Sequence, residues 1–362
     1  MIQIKNSLCA RAAAQKVPIS GAFELTPRCN FHCKMCYVRQ TPEQMALVGR
    51  ERSKHEWVEL ARQARQEGLI FLLLTGGEPM LRPDFGEIYE ELTQLGLSIT
   101  INTNGSLLSD ELRALFRRLP PAMVNVTLYA ATAEGYQRLC GVPGGLERAL
   151  QTIRFFREIG TFVNINTTIT PWNVGQYEGI CTLGKKLGLK IRATLYNFPP
   201  TRGGSCDSFR RLSPQEVGRL LARDVQQWGG PEQVSRIAQG LKTGDEIPMG
   251  CSMEPGEGMH CYAGKSQFWI TWDGKMTPCG MLPGPAAQPF EVGFRQAWSQ
   301  TVSAAEQISL CPDCRDCEMK GTCTNCAAVT WAESGAFDGR PEYMCQVNQS
   351  FRQSIRKLCD DK

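Results

Sequence analysis

The residues with the most evident chemistry in this chain are three cysteines, Cys29, Cys33 and Cys36, separated by three and then two residues. They follow an apolar run at 21–25 that predicts a strand, and Thr26-Pro27 breaks that strand into a loop. Thiolates that converge from one short loop suit a soft metal centre, and iron–sulfur clusters are bound by such ligands. A cubane with four irons needs a ligand on each iron, so three cysteines leave one iron open to a ligand from outside the protein.

A second stretch, Thr75-Gly76-Gly77-Glu78-Pro79, follows a continuous apolar run at 69–74. Glycines directly after a buried strand let the backbone come close to a ligand, and barrel folds build their sites at the carboxyl ends of strands. On its own the stretch is also typical of a plain loop. Its place after a strand, downstream of the cysteine loop, favours a binding role.

Together these two stretches resemble the radical S-adenosylmethionine (radical SAM) superfamily, in which Cys-x3-Cys-x2-Cys follows the first strand of a partial barrel. The resemblance implies a [4Fe-4S] cluster on Cys29, Cys33 and Cys36 whose open iron binds SAM, and reductive cleavage of SAM to a 5′-deoxyadenosyl radical. The cofactor-binding residues that it implies are Met35, Gly76, Gly77, Glu78, Pro79, Asn104, Thr127 and Arg138. A zinc site is the alternative for the loop, but zinc prefers four protein ligands and the chain has only 3 histidines to supply one.

The segments that must position these residues alternate between strand and helix patterns. Strands are predicted at 21–25, 69–74, 97–103, 123–129, 162–169 and 189–196. Helices are predicted at 53–67, 84–95, 109–119, 145–159 and 174–187, and Ser213 and Glu216 form a capping box for another. This alternation predicts an α/β fold, a partial TIM-like (β/α)6 barrel with right-handed crossovers, over residues 21–245 after a lead of residues 1–20.

The composition changes from Cys251 onward, where ten of the 17 cysteines lie. Residues 268–272 followed by Asp273-Gly274 predict a β-hairpin. This part of the chain resembles the SPASM domain, a Cys-rich C-terminal extension of peptide-modifying radical SAM enzymes. The resemblance implies that residues 246–362 form a small SPASM domain with a β-hairpin and short helices.

The SPASM resemblance implies two auxiliary [4Fe-4S] clusters, so that three clusters and SAM are the expected cofactors. The first would be bound by Cys261, Cys279 and Cys326 with Cys251, and the second by Cys314, Cys317, Cys323 and Cys345. The partition stays open, because only two residues separate Cys323 from Cys326 and because Cys311 is an additional thiol. A pair of zinc ribbons is the alternative for these cysteines. Cys9, Cys140, Cys181, Cys206 and Cys359 are expected to be core or surface thiols.

Composition narrows the class of protein. The chain has 362 residues, 42% hydrophobic and 21% charged, with a formal net charge of +4 that is spread without a basic block. These values are ordinary for a globular protein and give no argument for binding nucleic acid or a membrane surface. The N-terminal residues lack a signal-peptide pattern, so a cytoplasmic location and reduced thiols are expected.

The resemblance implies a peptide maturase that oxidatively modifies a ribosomally made peptide, by a thioether or other crosslink or a related modification. The alternative within the family is an anaerobic sulfatase-maturating, formylglycine-forming enzyme, which places an Asp directly after an auxiliary-cluster cysteine, whereas Gly280 follows Cys279. Alternatives of another class are a non-catalytic iron–sulfur electron carrier and a zinc-binding scaffold. No general base is identifiable from the sequence.

The expected partners are a peptide substrate and a low-potential ferredoxin or flavodoxin. Many maturases carry a leader-recognition domain of about 80 residues before the barrel, as the resemblance implies, whereas here about 20 residues precede the first predicted strand. A separate protein that presents the leader, or a substrate without one, is therefore expected.

Overall fold

A computed structural model of the protein describes residues 2–199, 210–243, 259, 261–314 and 316–360. They form two compact units, the first comprising Met1–Arg210 and Tyr262–Ser303 and the second Arg211–Cys261 and Ala304–Lys362. Residues 262–303, which the sequence analysis assigns to the C-terminal domain, thus belong to the compact unit that holds the barrel. No helix within the described ranges is long and apolar enough to span a bilayer.

The first unit is built on one sheet, whose parallel strands confirm the predicted partial barrel. The strands are β1 (Ser20–Glu24), β2 (Phe71–Thr75), β3 (Ser98–Thr103), β4 (Met123–Thr127), β5 (Phe162–Thr168) and β6 (Ile191–Thr194). The predicted hairpin forms β7 (Gln267–Ile270) and β8 (Met276–Thr277), and β7 pairs in parallel with β1. The sheet order is β6-β5-β4-β3-β2-β1-β7-β8.

Helices connect and cover these strands. They are α1 (Ile2–Ala14), α2 (Pro42–Val48), α3 (Lys54–Gln66), α4 (Phe85–Gln94), α5 (Asp110–Arg118), α6 (Ala133–Cys140), α7 (Gly145–Glu158) and α8 (Tyr177–Lys186). The sequence patterns predict α3, α4, α5, α7 and α8 but not the short helices α2 and α6. Apolar helix faces bury aromatic rings against the outer side of the sheet, with the Phe23 ring of β1 packing 4.9 Å from Trp57 of α3. Burial of this kind stabilises the unit by about 25 cal/mol per Å² of apolar surface.

The inner face of the sheet is polar where the middle strands meet. Asn102, Asn125 and Asn164 occupy paired positions of β3, β4 and β5. Asn125 Nδ2 donates to Asn102 Oδ1 at 2.7 Å, and Asn164 Nδ2 donates to Asn125 Oδ1 at 3.0 Å. Each of these amides has a partner, so the barrel interior keeps polar groups at low energetic cost.

The second unit contains α9 (Pro214–Thr243), α12 (Ala327–Ser334) and α13 (Glu342–Asp360). The helix α10 (Pro289–Val292) and most of α11 (Phe294–Glu306) belong to the first unit. The predicted capping box is confirmed, since Ser213 N donates to Glu216 Oε2 at 2.8 Å. At Gly230 the backbone has φ 71° and Pro231 follows, so α9 is two helices joined at a kink. Phe351 and Ile355 of α13 pack into an apolar cluster with Ile237 of α9.

Candidate functional site

A cavity of about 500 Å³ lies at the carboxyl ends of β1 to β6 and holds the two stretches that the sequence analysis singled out. Its walls include Cys29, Cys33, Cys36, Gly76, Gly77 and Asn104. Parallel strands bring the residues that follow them to one edge of the sheet, which explains why segments distant in sequence meet here. The cavity is therefore the candidate site.

The cysteine loop is held by backbone hydrogen bonds to a helix that the sequence analysis did not predict. His32 N donates to Cys140 O at 2.9 Å, and Lys34 N donates to Leu139 O at 3.1 Å, both at the end of α6. The Phe31 side chain between the first two cysteines is buried against the edge of Tyr136, with ring centroids 6.2 Å apart. The loop conformation is thus fixed by the barrel itself.

The three cysteines are partly buried, and each thiol is favoured in its neutral form. Burial raises the pKa of Cys29 to about 12 and also raises the pKa of Cys36. Hydrogen bonding to the Cys140 thiol, followed by burial, raises the pKa of Cys33 well above its ordinary value. Because a coordinated thiol loses its proton to the metal, cluster assembly on this loop must release protons.

The donors around the sulfur atoms fit an iron–sulfur cluster. Phe31 N donates to Cys29 Sγ and Arg39 N donates to Cys36 Sγ, both at 3.3 Å, and Asn104 Nδ2 lies 3.6 Å from Cys29 Sγ. Hydrogen bonds to cluster sulfurs are among the protein's means of stabilising such a cluster. Among the described residues, no three His, Cys, Asp or Glu side chains stand in a group that could hold a single metal ion. The ligand assignments therefore remain predictions from the sequence.

Gly76 and Gly77 are required by the close approach of the cysteine loop. Gly77 N donates to Thr26 O at 2.7 Å. A Cβ on Gly77 would lie 2.3 Å from Arg28 O, and one on Gly76, whose φ is 146°, would lie 2.3 Å from Thr26 O. Both distances are far below van der Waals contact, so any side chain here would displace the loop that carries the thiols.

The Glu78 carboxylate is buried and joins β2 to the segment after β3. Asn104 N donates to its Oε2 at 2.7 Å, Met80 N donates to its Oε1 at 3.1 Å, and the Thr103 hydroxyl lies 2.9 Å from both oxygens. Burial raises the pKa of Glu78 to about 7, while these donors act in the opposite direction. The side chain thus positions Asn104, a role that the sequence analysis did not foresee.

The other predicted cofactor-binding residues fall into two groups. Met35 and Thr127 line the cavity together with Asn104, whose Nδ2 also donates to Asn30 Oδ1 at 2.9 Å. Pro79 begins a buried helical turn just outside the cavity wall. Arg138 lies on α6, is exposed, and pairs with Glu134 at 3.6 Å. The cavity thus brings together Met35, Asn104 and Thr127, and does not include Arg138.

The cavity also has walls that the sequence analysis did not name. Tyr129 follows β4, Asn166 lies on β5, Arg192 lies on β6, and Tyr196 follows β6. The sequence could have indicated these residues by their place in or just after predicted strands, because a barrel builds its site at the carboxyl ends of its strands. Asn166, Arg192 and Tyr196 form the β5–β6 side of the cavity, whereas Tyr129 lies near the thiols of Cys33 and Cys36.

Five cysteines of the second unit, Cys311, Cys314, Cys317, Cys323 and Cys345, interact with one another through their charges. Charge interactions link the Cys314 thiol to Cys311, Cys317 and Cys323, and burial is the main cause that raises its pKa to about 12. Cys345 on α13 interacts with Cys317 and Cys323 in the same way. The four predicted ligands of the second auxiliary cluster are thus within range of one another's charge, and the Cys311 and Cys314 thiols share a hydrogen bond. Among the described residues they do not stand in a group that could hold a single metal ion, so this ligand set stays a prediction.

The described cysteines of the predicted first auxiliary group lie on different elements of the chain. Cys261 is exposed, Cys279 follows β8 and accepts from Met281 N at 3.4 Å, and Cys326 is the N-cap of α12. Cys251 and Cys206 lie outside the described residues. Of the expected core or surface thiols, Cys9, Cys140 and Cys181 are buried and Cys359 is partly exposed.

Comparison with known proteins gives a family match that falls on the barrel. Residues 23–183 match the family model described as the Radical SAM superfamily. An AdoMet-dependent heme synthase of Methanosarcina barkeri is 29% identical over 340 residues, which cover 90% of this chain and 95% of that protein. The antilisterial bacteriocin subtilosin biosynthesis protein AlbA of Bacillus subtilis is 25% identical over 268 residues, covering 74% of this chain and 56% of that protein.

A solved structure agrees in fold. Streptococcus suis SuiB bound to its precursor peptide SuiA superposes with a TM-score of 0.68, covering 94% of this chain and 79% of that one. The identity is 15%, so this likeness bears on the architecture alone.

Proposed function

We propose that this chain, which belongs to the radical SAM superfamily, cleaves S-adenosylmethionine at the barrel cavity and oxidatively modifies a peptide. The observation that carries the proposal is that Cys29, Cys33 and Cys36 line the same cavity as Gly76 and Gly77. A [4Fe-4S] cluster and SAM, when bound, supply a radical that removes a hydrogen atom from the substrate. A metal scaffold or an electron carrier has no use for a cofactor-sized cavity beside its thiols.

The residues of this chain bind and orient the reactants. The cysteine loop is the proposed cluster site, and the backbone after β2 is the proposed site for the methionine end of SAM. Met35 and Thr127 flank the space between them. Phe31 is buried and Tyr129 is half-buried beside the thiols, so their rings exclude water from that end of the cavity.

The size of the cavity supports a peptide substrate. Its volume of about 500 Å³ lies within the range of roughly 300–1,000 Å³ that holds one drug-sized ligand. With SAM in place, only a small part of the substrate can enter. A single side chain of a peptide meets this limit, and the biosynthetic role named for AlbA agrees with it.

The second candidate substrate is a tetrapyrrole. It is favoured by the heme synthase of M. barkeri, which matches this chain over nearly its whole length. In a cavity of this volume a flat macrocycle would present only an edge substituent to SAM. Both candidates therefore require the substrate body to lie outside the cavity.

Auxiliary clusters are part of the proposal. The charge interactions among the thiols of Cys314, Cys317, Cys323 and Cys345 support one such cluster. The assignment of a further cluster to Cys251, Cys261, Cys279 and Cys326 rests on the sequence resemblance. Auxiliary clusters would accept the electron that remains after a hydrogen atom is removed.

Iron and sulfide analysis of anaerobically reconstituted protein, followed by 5′-deoxyadenosine release with SAM and dithionite, tests the enzyme class. About twelve irons per chain and 5′-deoxyadenosine release are expected if three cubanes bind. About four irons with bound zinc would contradict the auxiliary clusters. Failure to release 5′-deoxyadenosine would leave an electron carrier as the better description.

The substrate is tested by stimulation of turnover. Short peptides encoded beside the gene, including Ser- and Cys-containing ones for the formylglycine alternative, are compared with porphyrins that carry carboxylate substituents. A peptide that gains a crosslink or loses hydrogen by mass spectrometry would establish the first candidate. Turnover with porphyrin alone would replace it by the second.

A further inference from the structure

Arg192 is the one charged side chain among the described residues that line the cavity. It lies on β6, is exposed, and faces a wall whose other polar members are neutral amides and hydroxyls, such as Asn166, Thr194 and Tyr196. Within the part of the chain that the structure describes, it has no hydrogen bond, ion pair or aromatic partner. A guanidinium without a partner on a cavity wall is suited to bind an anion that comes from solution.

The position of Arg192 separates it from the proposed methionine site of SAM. In the sheet order, β6 lies four strand spacings from β2, which is roughly 19 Å along the sheet. The register places Arg192 beside Asn166, and Asn166 beside Thr127. The one anionic group of SAM is its methionine carboxylate, and the proposed function assigns the methionine end of SAM to the backbone after β2. On that assignment the anion for Arg192 comes from another molecule.

We propose that Arg192 binds a carboxylate of the substrate and so places the reacting part of the substrate on the β5–β6 side of the cavity. One guanidinium balances the single charge of a carboxylate and matches its two oxygens. A phosphate monoester carries a charge of about −1.5 to −2, which one arginine leaves partly unbalanced. The inference rests on the proposed function and names a chemical feature that either candidate substrate must carry.

The test compares acidic probes with neutral counterparts on the reconstituted holoenzyme with SAM bound. One arm uses an acetylated hexapeptide amide with a central Glu and its Gln counterpart, and the other uses haem and its dimethyl ester. The variants are Arg192→Gln and Arg192→Lys, and Arg154→Gln is the matched control, since Arg154 lies on α7, pairs with Glu147 and does not line the cavity. Dissociation constants are measured for each probe and separately for SAM.

We expect the wild type to bind the acidic member of one pair about tenfold more tightly, and Arg192→Gln to remove this preference while SAM affinity stays within about twofold. Arg192→Lys should retain part of the preference, because it keeps the charge without the planar geometry. The arm that shows the preference identifies the source of the carboxylate.

Three results would overturn the inference. They are an acid preference in neither arm, a preference that survives Arg192→Gln, and an Arg192→Gln variant whose affinity for SAM falls about tenfold. Release of 5′-deoxyadenosine is measured on the same samples. Its absence would contradict the proposed function alone, because the acid preference is measured in binding without turnover.

Discussion

The two cysteine groups of this chain are held in different ways. In the barrel unit, the thiols lie on a loop whose backbone is hydrogen-bonded to the end of α6 and whose sulfurs accept from backbone amides. In the second unit, Cys314 ends the helical turn Pro312–Cys314, Cys323 follows the turn Lys320–Thr322, and Cys345 lies on α13. A covalent or metal link between such short turns contributes more to their order than it does in a loop that is already braced.

Further side-chain contacts brace the start of the barrel loop. Arg28 Nε and Nη2 donate to the Glu51 carboxylate, each at 2.8 Å, and the Thr26 hydroxyl donates to the same carboxylate. Arg82 is buried, pairs with Asp84 at 2.7 Å, and donates to Leu25 O at 3.1 Å. The comparison therefore suggests that the barrel arranges its thiols before metal arrives, whereas the second unit depends on metal for its local structure.

The largest expected effect is the loss of SAM cleavage when the barrel thiols are removed. Replacing Cys29, Cys33 and Cys36 by Ala should lower the iron content by about four per chain and abolish 5′-deoxyadenosine release. Far-ultraviolet circular dichroism should change little, because the barrel braces the loop without metal. The control is Cys359→Ala on α13, which should keep full iron content. Retained SAM cleavage in the triple variant would refute the assignment of this cluster.

Metal removal should affect the two units unequally. Chelation under anaerobic conditions is expected to raise amide hydrogen exchange at 311–326 by about tenfold or more, because the turns there lose their links. Exchange in β2, β3 and β4 should stay within about twofold. Equal loss of protection in both units would remove the distinction between a braced loop and a metal-dependent one.

Gly77→Ala should act on the barrel loop without touching a thiol. Its methyl group would press on Arg28 O, so we expect a loss of about 1–3 kcal/mol in the free energy of unfolding and weaker SAM binding. Gly86→Ala is the matched control, because a Cβ there meets its nearest neighbours at 3.6 Å and Ala favours a helix such as α4. Equal behaviour of the two variants would show that the loop adjusts freely.

Much of this arrangement follows from sequence periodicity. The strands β1 to β6 and the cysteine loop lie where the apolar runs and turn residues predict, because buried parallel strands have a strong local signal. The short helix α6 has a weak local sequence signal. It matters for the cysteine loop because its end accepts hydrogen bonds from His32 and Lys34, about a hundred residues earlier in the sequence. The roles of Glu78 and Arg192 depend on which strands become neighbours, and a single sequence does not reveal that.

The smallest expected effect concerns the ionisation of Glu78. Its pKa is raised from 4.5 to about 7, so between these values the folded protein binds more protons than the unfolded chain, and stability falls as the pH rises through this window. The free-energy difference between the wild type and Glu78→Gln should therefore shrink by about 1 kcal/mol between pH 6 and pH 8. Anaerobic urea unfolding at the two pH values measures it. A difference that grows with pH would mean that the donors from Asn104, Met80 and Thr103 outweigh burial and keep the carboxylate ionised, making it a stronger brace for the cavity edge.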